Sequence, residues 1–441
     1  MKVIRTMLQR ISPIAALAIA LGLTLWLTAS AASARDFYVV PTDQGNADAA
    51  TGAPESPFPT VWKAMRSGLL SGGDRLILRD GAHGTIKIVN AAFDPPVQIV
   101  AETPGQAHAD GIIVQGGHGL RFSGLSVWPR EPNTRPRNIV STDKNAADVG
   151  FDSMDIRGAL DAPDRYMSWS LDEWMTDGRA NGVRLDGPDN MISKSRVTGV
   201  AFGITTTGDR ARVLGNRIEG FSGDGMRGLG DDSVFAGNRV ENSFKVDDNH
   251  DDGFQSWATK PDDDGRRTVR DLVIENNIII EWTGPANHPL HGKLQGIGLF
   301  DGIYRNFTIR NNLIIISAYH GISLYAAADS VIANNTVVNV SGGPADHPWI
   351  MLRDNRNGWK AGETQAFNNV AMSYKGIANP LHHNAVARFP AQYFRDATRL
   401  DFRPNAGGLL IDAGLAEGAP TTDITGRPRS GRPDLGAFEM E

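Results

Sequence analysis

Three carboxylates stand where they could do chemistry together. Asp224 precedes Gly225, and the pair Asp251-Asp252 precedes Gly253. A lone Asp-Gly reads as a solvated turn, because Asp favours turns for backbone reasons. Here the pattern recurs at equivalent points of a repeat, so stacking would make Asp224 and Asp252 neighbours with Asp251 beside them. Carboxylates that close repel unless one is protonated or a cation lies between them. A hard cation with oxygen ligands suits them, and Ca2+ is the usual extracellular choice. The run Asp247-Asp248-Asn249-His250 adds oxygen donors. The expected metal ligands are therefore Asp224, Asp251 and Asp252.

What must position these residues is a repeat. Gly followed by alternating apolar residues begins at Gly182, Gly203, Gly225, Gly253, Gly296 and Gly321, in steps of about 21 to 28 residues with one longer step before Gly296. That period suits one coil of a β-solenoid. Between these motifs lies a second one: strand, Asn, strand, at Asn216, Asn238, Asn276-Asn277, Asn311-Asn312, Asn334-Asn335 and Asn368-Asn369. Asn tolerates the left-handed conformation of a sharp corner, and stacked amides can hydrogen-bond from coil to coil. Residues 158–180, with Tyr166, Trp169, Trp174 and a helix start at Ser170, fit no coil. Neither do residues 281–294, with Trp282, His288, His291 and Lys293. Both read as insertions, placed over a binding face or covering an edge.

Aligning the Gly motifs as rungs sends Val183, Ile204, Met226, Phe254, Ile297 and Ile322 inward. The alternate residues then point outward. One outward column reads Arg184, Thr205, Arg227, Gln255, Gly298, Ser323. The next ends Trp257, Phe300, Tyr325, with Arg353 on the following rung. The column before each Gly is Asn181, Phe202, Asp224, Asp252, Gln295, His320. Aromatic side chains offer platforms for the apolar faces of sugar rings, so Trp257, Phe300, Tyr325 and Arg353 are the expected substrate-binding residues. Arg227, on the same face, could hold a substrate carboxylate.

The ends and the composition set the compartment. Lys2, Arg5 and Arg10, an apolar stretch from Ile11 to Leu27, and Ala32-Ser33-Ala34 make a secretory signal peptide over residues 1–34. Residues 35–441 are expected to form a single domain, secreted or periplasmic, free of the membrane and monomeric. The formal charge is −6 at pH 7, and without the three basic residues of the leader it is −9. An acidic chain lacks the basic footprint of a nucleic-acid binder. With no cysteine, a large core or metal ions must stand in for disulfides.

The chain resembles the secreted right-handed parallel β-helix proteins of the pectate lyase type. Three regions carry the resemblance: the opening Phe37–Pro41 through Gly73–Gly81, the coils, and the close from Ile411 through Asp423–Arg429 to Asp434–Glu439. It implies an all-β, right-handed parallel β-helix with a short N-terminal helical cap and inserted loops. The nearest functional resemblance is to family 9 polysaccharide lyases. Asp224-Gly225 matches one half of that family's calcium site, and Asp251-Asp252-Gly253-Phe254-Gln255 the other, with Gln255 in place of a final Asp. The family's catalytic Lys falls here at Gly298, so Lys293 or His320 would have to act as base. The implied reaction is calcium-dependent β-elimination on an acidic, uronic-acid polysaccharide. A bound cation neutralises the uronate, and a base removes the C5 proton. Three other readings keep the fold: a glycoside hydrolase using the aspartates as acid and base, a uronate epimerase, and a non-catalytic polysaccharide-binding or assembly protein.

Overall fold

Each coil is built from three short parallel strands, and successive coils stack strand on strand. The computed structural model describes residues 34–44, 50–130, 138–258, 265, 267–340, 346–377, 380 and 382–440. The expected leader lies outside the described residues except for Ala34. Asp36–Glu441 is one unit. Face 1 carries the Gly motifs, in strands Asn181–Leu185, Ile204–Thr206, Met226–Gly228, Asp252–Trp257, Gln295–Asp301, His320–Tyr325 and Trp349–Arg353. Faces 2 and 3 are the two halves of the Asn motif, for example Val234–Ala236 and Arg239–Ser243. The register follows the sequence alignment: Val183 pairs with Ile204, then Met226, Phe254, Ile297, Ile322 and Ile350 in turn.

The inward residues of all three faces make one continuous core, with Val183, Ile204, Phe254, Ile297 and Ile322 no more than 1% exposed. Each such apolar side chain stabilises the fold by about 1.5–3 kcal/mol. At the face 2–face 3 corner the two Asn roles fall to different residues. The left-handed position is taken by Gly215, Gly237, Asn276, Asn311, Asn334 and Asn368, with φ between 53° and 67°. The next residue forms the ladder: Asn216, Asn238, Asn277, Asn312, Asn335 and Asn369 each donate Nδ2 to the Oδ1 of the following member at 2.9–3.0 Å, and the ladder ends at Asn384, whose own amide donates to the Ala366 carbonyl. Every member is buried, so the ladder satisfies polar groups that no water reaches.

Both insertions occur at the corner between face 3 and face 1. Ser170 caps the helix Leu171–Thr176 in a full capping box with Glu173. Trp169, Trp174 and Phe244 form a separate buried cluster, against which Tyr166, Met167 and Trp282 pack. The two insertions grip one another, with His288 Nε2 at 2.9 Å from the Met167 carbonyl. Gly199 and Gly220 make room for them: a Cβ there would lie 2.7 Å from Trp169 and 2.3 Å from Tyr166. The aromatic insertion therefore packs over interior strands of face 3, at Gly199 and Gly220. At the N-terminal end, helix Val61–Arg66, capped by Thr60, supplies the expected helical cap. The C-terminal segment packs Phe394, Phe402, Leu410 and Leu435 on the outer side of face 3, against Ile280, Leu313, Ile315 and Val338.

Candidate functional site

Asp224 and Asp252 come together as expected, because the pairing of Met226 with Phe254 brings their rungs into register. The Asp252 backbone N–H donates to Asp224 Oδ1 at 2.9 Å. Arg227 donates Nε to Asp224 Oδ2 at 2.6 Å, and its guanidinium lies 3.5 Å from the Phe202 ring centroid. Asp251 faces elsewhere. Its Oδ2 accepts from the Ser243 hydroxyl at 2.6 Å and its Oδ1 from Asn249 at 3.2 Å. Asp252 Oδ2 accepts from Gln255 at 3.1 Å. Thus Gln255, at the place of the family's last Asp, holds the cluster by hydrogen bonding.

Among the described residues no group of three His, Asp or Glu is spaced to hold a metal ion. The expected cage of Asp224, Asp251 and Asp252 is not drawn to one point, because Arg227 engages the first and Ser243 with Asn249 the second. What remains is Asp252 Oδ1 and Gln295 Oε1, both buried and both without a hydrogen-bond partner. The two residues are paired on adjacent rungs. Two hard oxygen acceptors left without donors fit a hard cation such as Ca2+.

The electrostatics match an uncompensated cluster. Burial pushes the Asp251 carboxyl up to about 7, with Ser243 opposing and the Asp224 charge adding. Burial, then Asp224 and Asp251, raise the Asp252 carboxyl well above the ordinary carboxylate range. Burial also raises Asp224, while Arg227 pulls it back. These shifts are mainly the cost of charge in a low dielectric. Arg227, expected to hold a substrate carboxylate, commits its Nε to an in-chain carboxylate instead.

Gly298, where the family's base would stand, has no room for a side chain. A Cβ there would meet the Phe300 ring at 2.4 Å and Asp252 Oδ1 at 2.7 Å. Lys293 is exposed on the neighbouring loop and makes no hydrogen bond or ion pair with the cluster. Lys245, which the sequence reading did not single out, lies near enough to Asp251 to act on its charge and donates to the Asn249 carbonyl at 2.8 Å. The segments carrying these two lysines run side by side, joined by Lys245 N to Leu290 O and Gly292 N to Ser243 O. His320 occupies the rung beyond Gln295. Its Nδ1 is 2.7 Å from Ser323 Oγ, and burial pushes its pKa down to about 4.

The aromatic stripe is real but offset. A bulge after Ser256 sets Trp257 opposite Asp301, so Phe300, between Leu299 and Asp301, is the extra residue. Its ring is 5.8 Å from Tyr325 and 5.1 Å from His320. Tyr325 pairs with the exposed Arg353 as expected. Gln255, Ser256, Trp257, Phe300 and Asp301 line a cavity of about 320 Å³. Phe300, Asp301, Tyr325 and Arg356 line a second, of about 260 Å³. Asp301 and Arg356 are joined at 2.8 Å. A second bulge, at Gly321, sets Trp349 against His320. Tyr319, His347 and Trp349 extend the aromatic surface. Asp301 and Trp349 escape the repeat pattern because the bulges that place them leave no mark in its spacing, and Arg356 escapes it because it lies beyond the strand Trp349–Arg353.

A family described as a right-handed beta helix region matches residues 175–345. The fold is a right-handed parallel β-helix. Among solved structures the chain is similar to pectate lyase Pel9A, at 18% identity over 92% of this chain and 96% of that one, with a TM-score of 0.51. It is also similar to the Dettilon tailspike protein (gp208), at 16% identity over 79% and 70%, with a TM-score of 0.50. An alginate lyase from Paenibacillus sp. str. FPU-7 aligns at 14% identity over 80% and 99%, with a TM-score of 0.44. No curated protein matches this sequence. Among the described residues no helix is long and apolar enough to cross a membrane.

Proposed function

We propose that this protein is an exported polysaccharide-active enzyme that cleaves a uronic-acid-containing chain by β-elimination at the Asp224–Asp252 cluster. The observation that carries the reading is the pair of orphaned acceptors, Asp252 Oδ1 and Gln295 Oε1, on a face that continues into two aromatic-lined cavities. Asp252 and Gln295 would hold Ca2+, with Asp224 and Asp251 flanking it. The ion would supply the charge that neutralises a uronate. Trp257, Phe300 and Tyr325 seat the sugar units on either side of the Phe300 ring. The C5 proton passes to a loop amine, Lys293 or Lys245. The C5 electron pair forms the new double bond as the bond from C4 to the leaving oxygen breaks, and that oxygen takes up a proton from solvent.

A hydrolase reading has one observation in its favour: a carboxyl at about 7 on Asp251 is an acid matched to neutral pH. Incubation of the mature protein with a panel of acidic and neutral polysaccharides, with calcium and with chelator, separates the two. A lyase gives an unsaturated, ultraviolet-absorbing product that chelator abolishes. New reducing ends without that absorbance mean hydrolysis. Full activity of Asp252→Ala would remove the site assignment altogether.

A further inference from the structure

We infer that His320 serves this site as a hydrogen-bond donor, its Nε2–H held toward bound sugar by a Trp349–Ser323 relay, and that it is not the proton-abstracting base. The inference deepens the proposed function and rests on it for the identity of the ligand. Two contacts and the burial of Ser323 carry it. Trp349 Nε1 is a donor only, and it reaches Ser323 Oγ at 3.2 Å. Ser323 Oγ is 2.7 Å from His320 Nδ1. Ser323 is fully buried, so its own hydroxyl hydrogen needs an acceptor. His320 Nδ1 meets that need if it is unprotonated. The chain then runs Trp349 N–H to Ser323 O–H to His320 Nδ1, every donor satisfied. The opposite tautomer would aim a second donor at Ser323 Oγ and strand the hydroxyl hydrogen in the core.

With Nδ1 committed as an acceptor, the proton of the neutral ring sits on Nε2. The half-buried ring lies between Phe300 at 5.1 Å and Tyr319 at 4.4 Å, beside the cavity that Phe300 and Tyr325 line. A fixed donor here meets an oxygen of the sugar resting on those rings. Ser323 and Trp349 act through the imidazole and are positioning residues. The Gly321 bulge is what brings Trp349 level with His320.

Two measurements test this. In the 15N-labelled mature protein, long-range proton–nitrogen correlation of the His320 ring at pH 7 is expected to show a protonated Nε2 and a bare Nδ1. Ser323→Ala is expected to give a mixture of tautomers. A ring protonated on Nδ1, or on both nitrogens, in the unaltered protein overturns the inference. This readout needs no substrate, so it stands apart from the reading of function. The second measurement compares His320→Gln, which keeps an N–H donor, with His320→Phe, which does not, using oligogalacturonate and oligomannuronate as probes. Retention of KM and kcat within about threefold in the Gln variant, with loss of about tenfold or more in the Phe variant, is expected for a donor worth one hydrogen bond. A base would lose 10²–10⁴-fold in kcat in both variants, and that result also overturns the inference. Circular dichroism and melting of both variants show whether each is folded.

Discussion

Asp251 is the residue whose chemistry is most open to measurement. Its carboxyl titrates near 7 in the folded chain, against about 3.9 in an unfolded one. Between those values the folded state keeps a proton that the unfolded state has released, so stability falls as pH rises from about 4 to 7 and then levels. Asp251→Asn removes the titration while keeping a side-chain acceptor for Ser243. In chelator the variant is expected to melt above the unaltered protein at pH 8 and close to it at pH 4. Melting below it at pH 8 would mean that the buried charge is already compensated. If calcium binds here, it is expected to raise the melting temperature more at pH 8 than at pH 5, because the ion displaces the proton. The sequence made the carboxylates visible as neighbours. It could not show that Arg227 turns to Asp224, since a side chain's partner depends on rotamers within one rung.

At the scale of the strand and the corner, two positions have sharp consequences. Gly298→Ala sets a Cβ against Phe300 and the orphaned Asp252 Oδ1. Loss of calcium binding by calorimetry with little change in fold is the expected outcome; unaltered binding would move the cation elsewhere. Asn277 sits mid-ladder. Its amide donates to the Phe235 carbonyl and Asn312, and accepts from Asn238. Asn277→Ala strands several buried groups at about 1–3 kcal/mol each, whereas Asn384, at the end of the ladder, has no further rung to support. Denaturant melts should therefore show Asn277→Ala costing about 3–5 kcal/mol and Asn384→Ala less. The ladder was legible because Asn recurred in phase. The split between a left-handed residue and a ladder residue was not, because Asn-Asn offers both jobs to both residues.

Across the whole solenoid, the C-terminal segment decides whether face 3 is covered. Arg429 lies buried there, paired with Glu439 at 2.8 Å and donating to Asn311 and the Gly436 carbonyl. Removing one partner of a buried ion pair costs about 3–5 kcal/mol. Arg429→Ala is expected to loosen this segment and expose Ile280, Leu313 and Ile315, giving faster proteolysis near the C-terminus and aggregation on heating. Unchanged proteolysis would show that Phe394, Phe402 and Leu410 hold the cover alone. The triplet Ile278-Ile279-Ile280, apolar on both sides of a strand, foreshadows such a cover. On the coil of Arg217 and the buried Glu219, the aromatic insertion lies over this face instead, with Tyr166 packed on Gly220.

The sequence by itself determined the solenoid, its register and the meeting of Asp224 with Asp252. All three follow from a period in which every rung repeats the same inward residues, and a one-residue slip would turn the core outward. Only the tertiary structure decided what the neighbours do with one another. It turned Arg227 onto Asp224 and Asp251 onto Ser243, left Asp252 Oδ1 and Gln295 Oε1 without donors, filled the place of a base with the Phe300 ring, and set Trp349 behind His320. Those outcomes depend on two β-bulges and on side-chain directions inside single rungs, and a repeat pattern constrains neither.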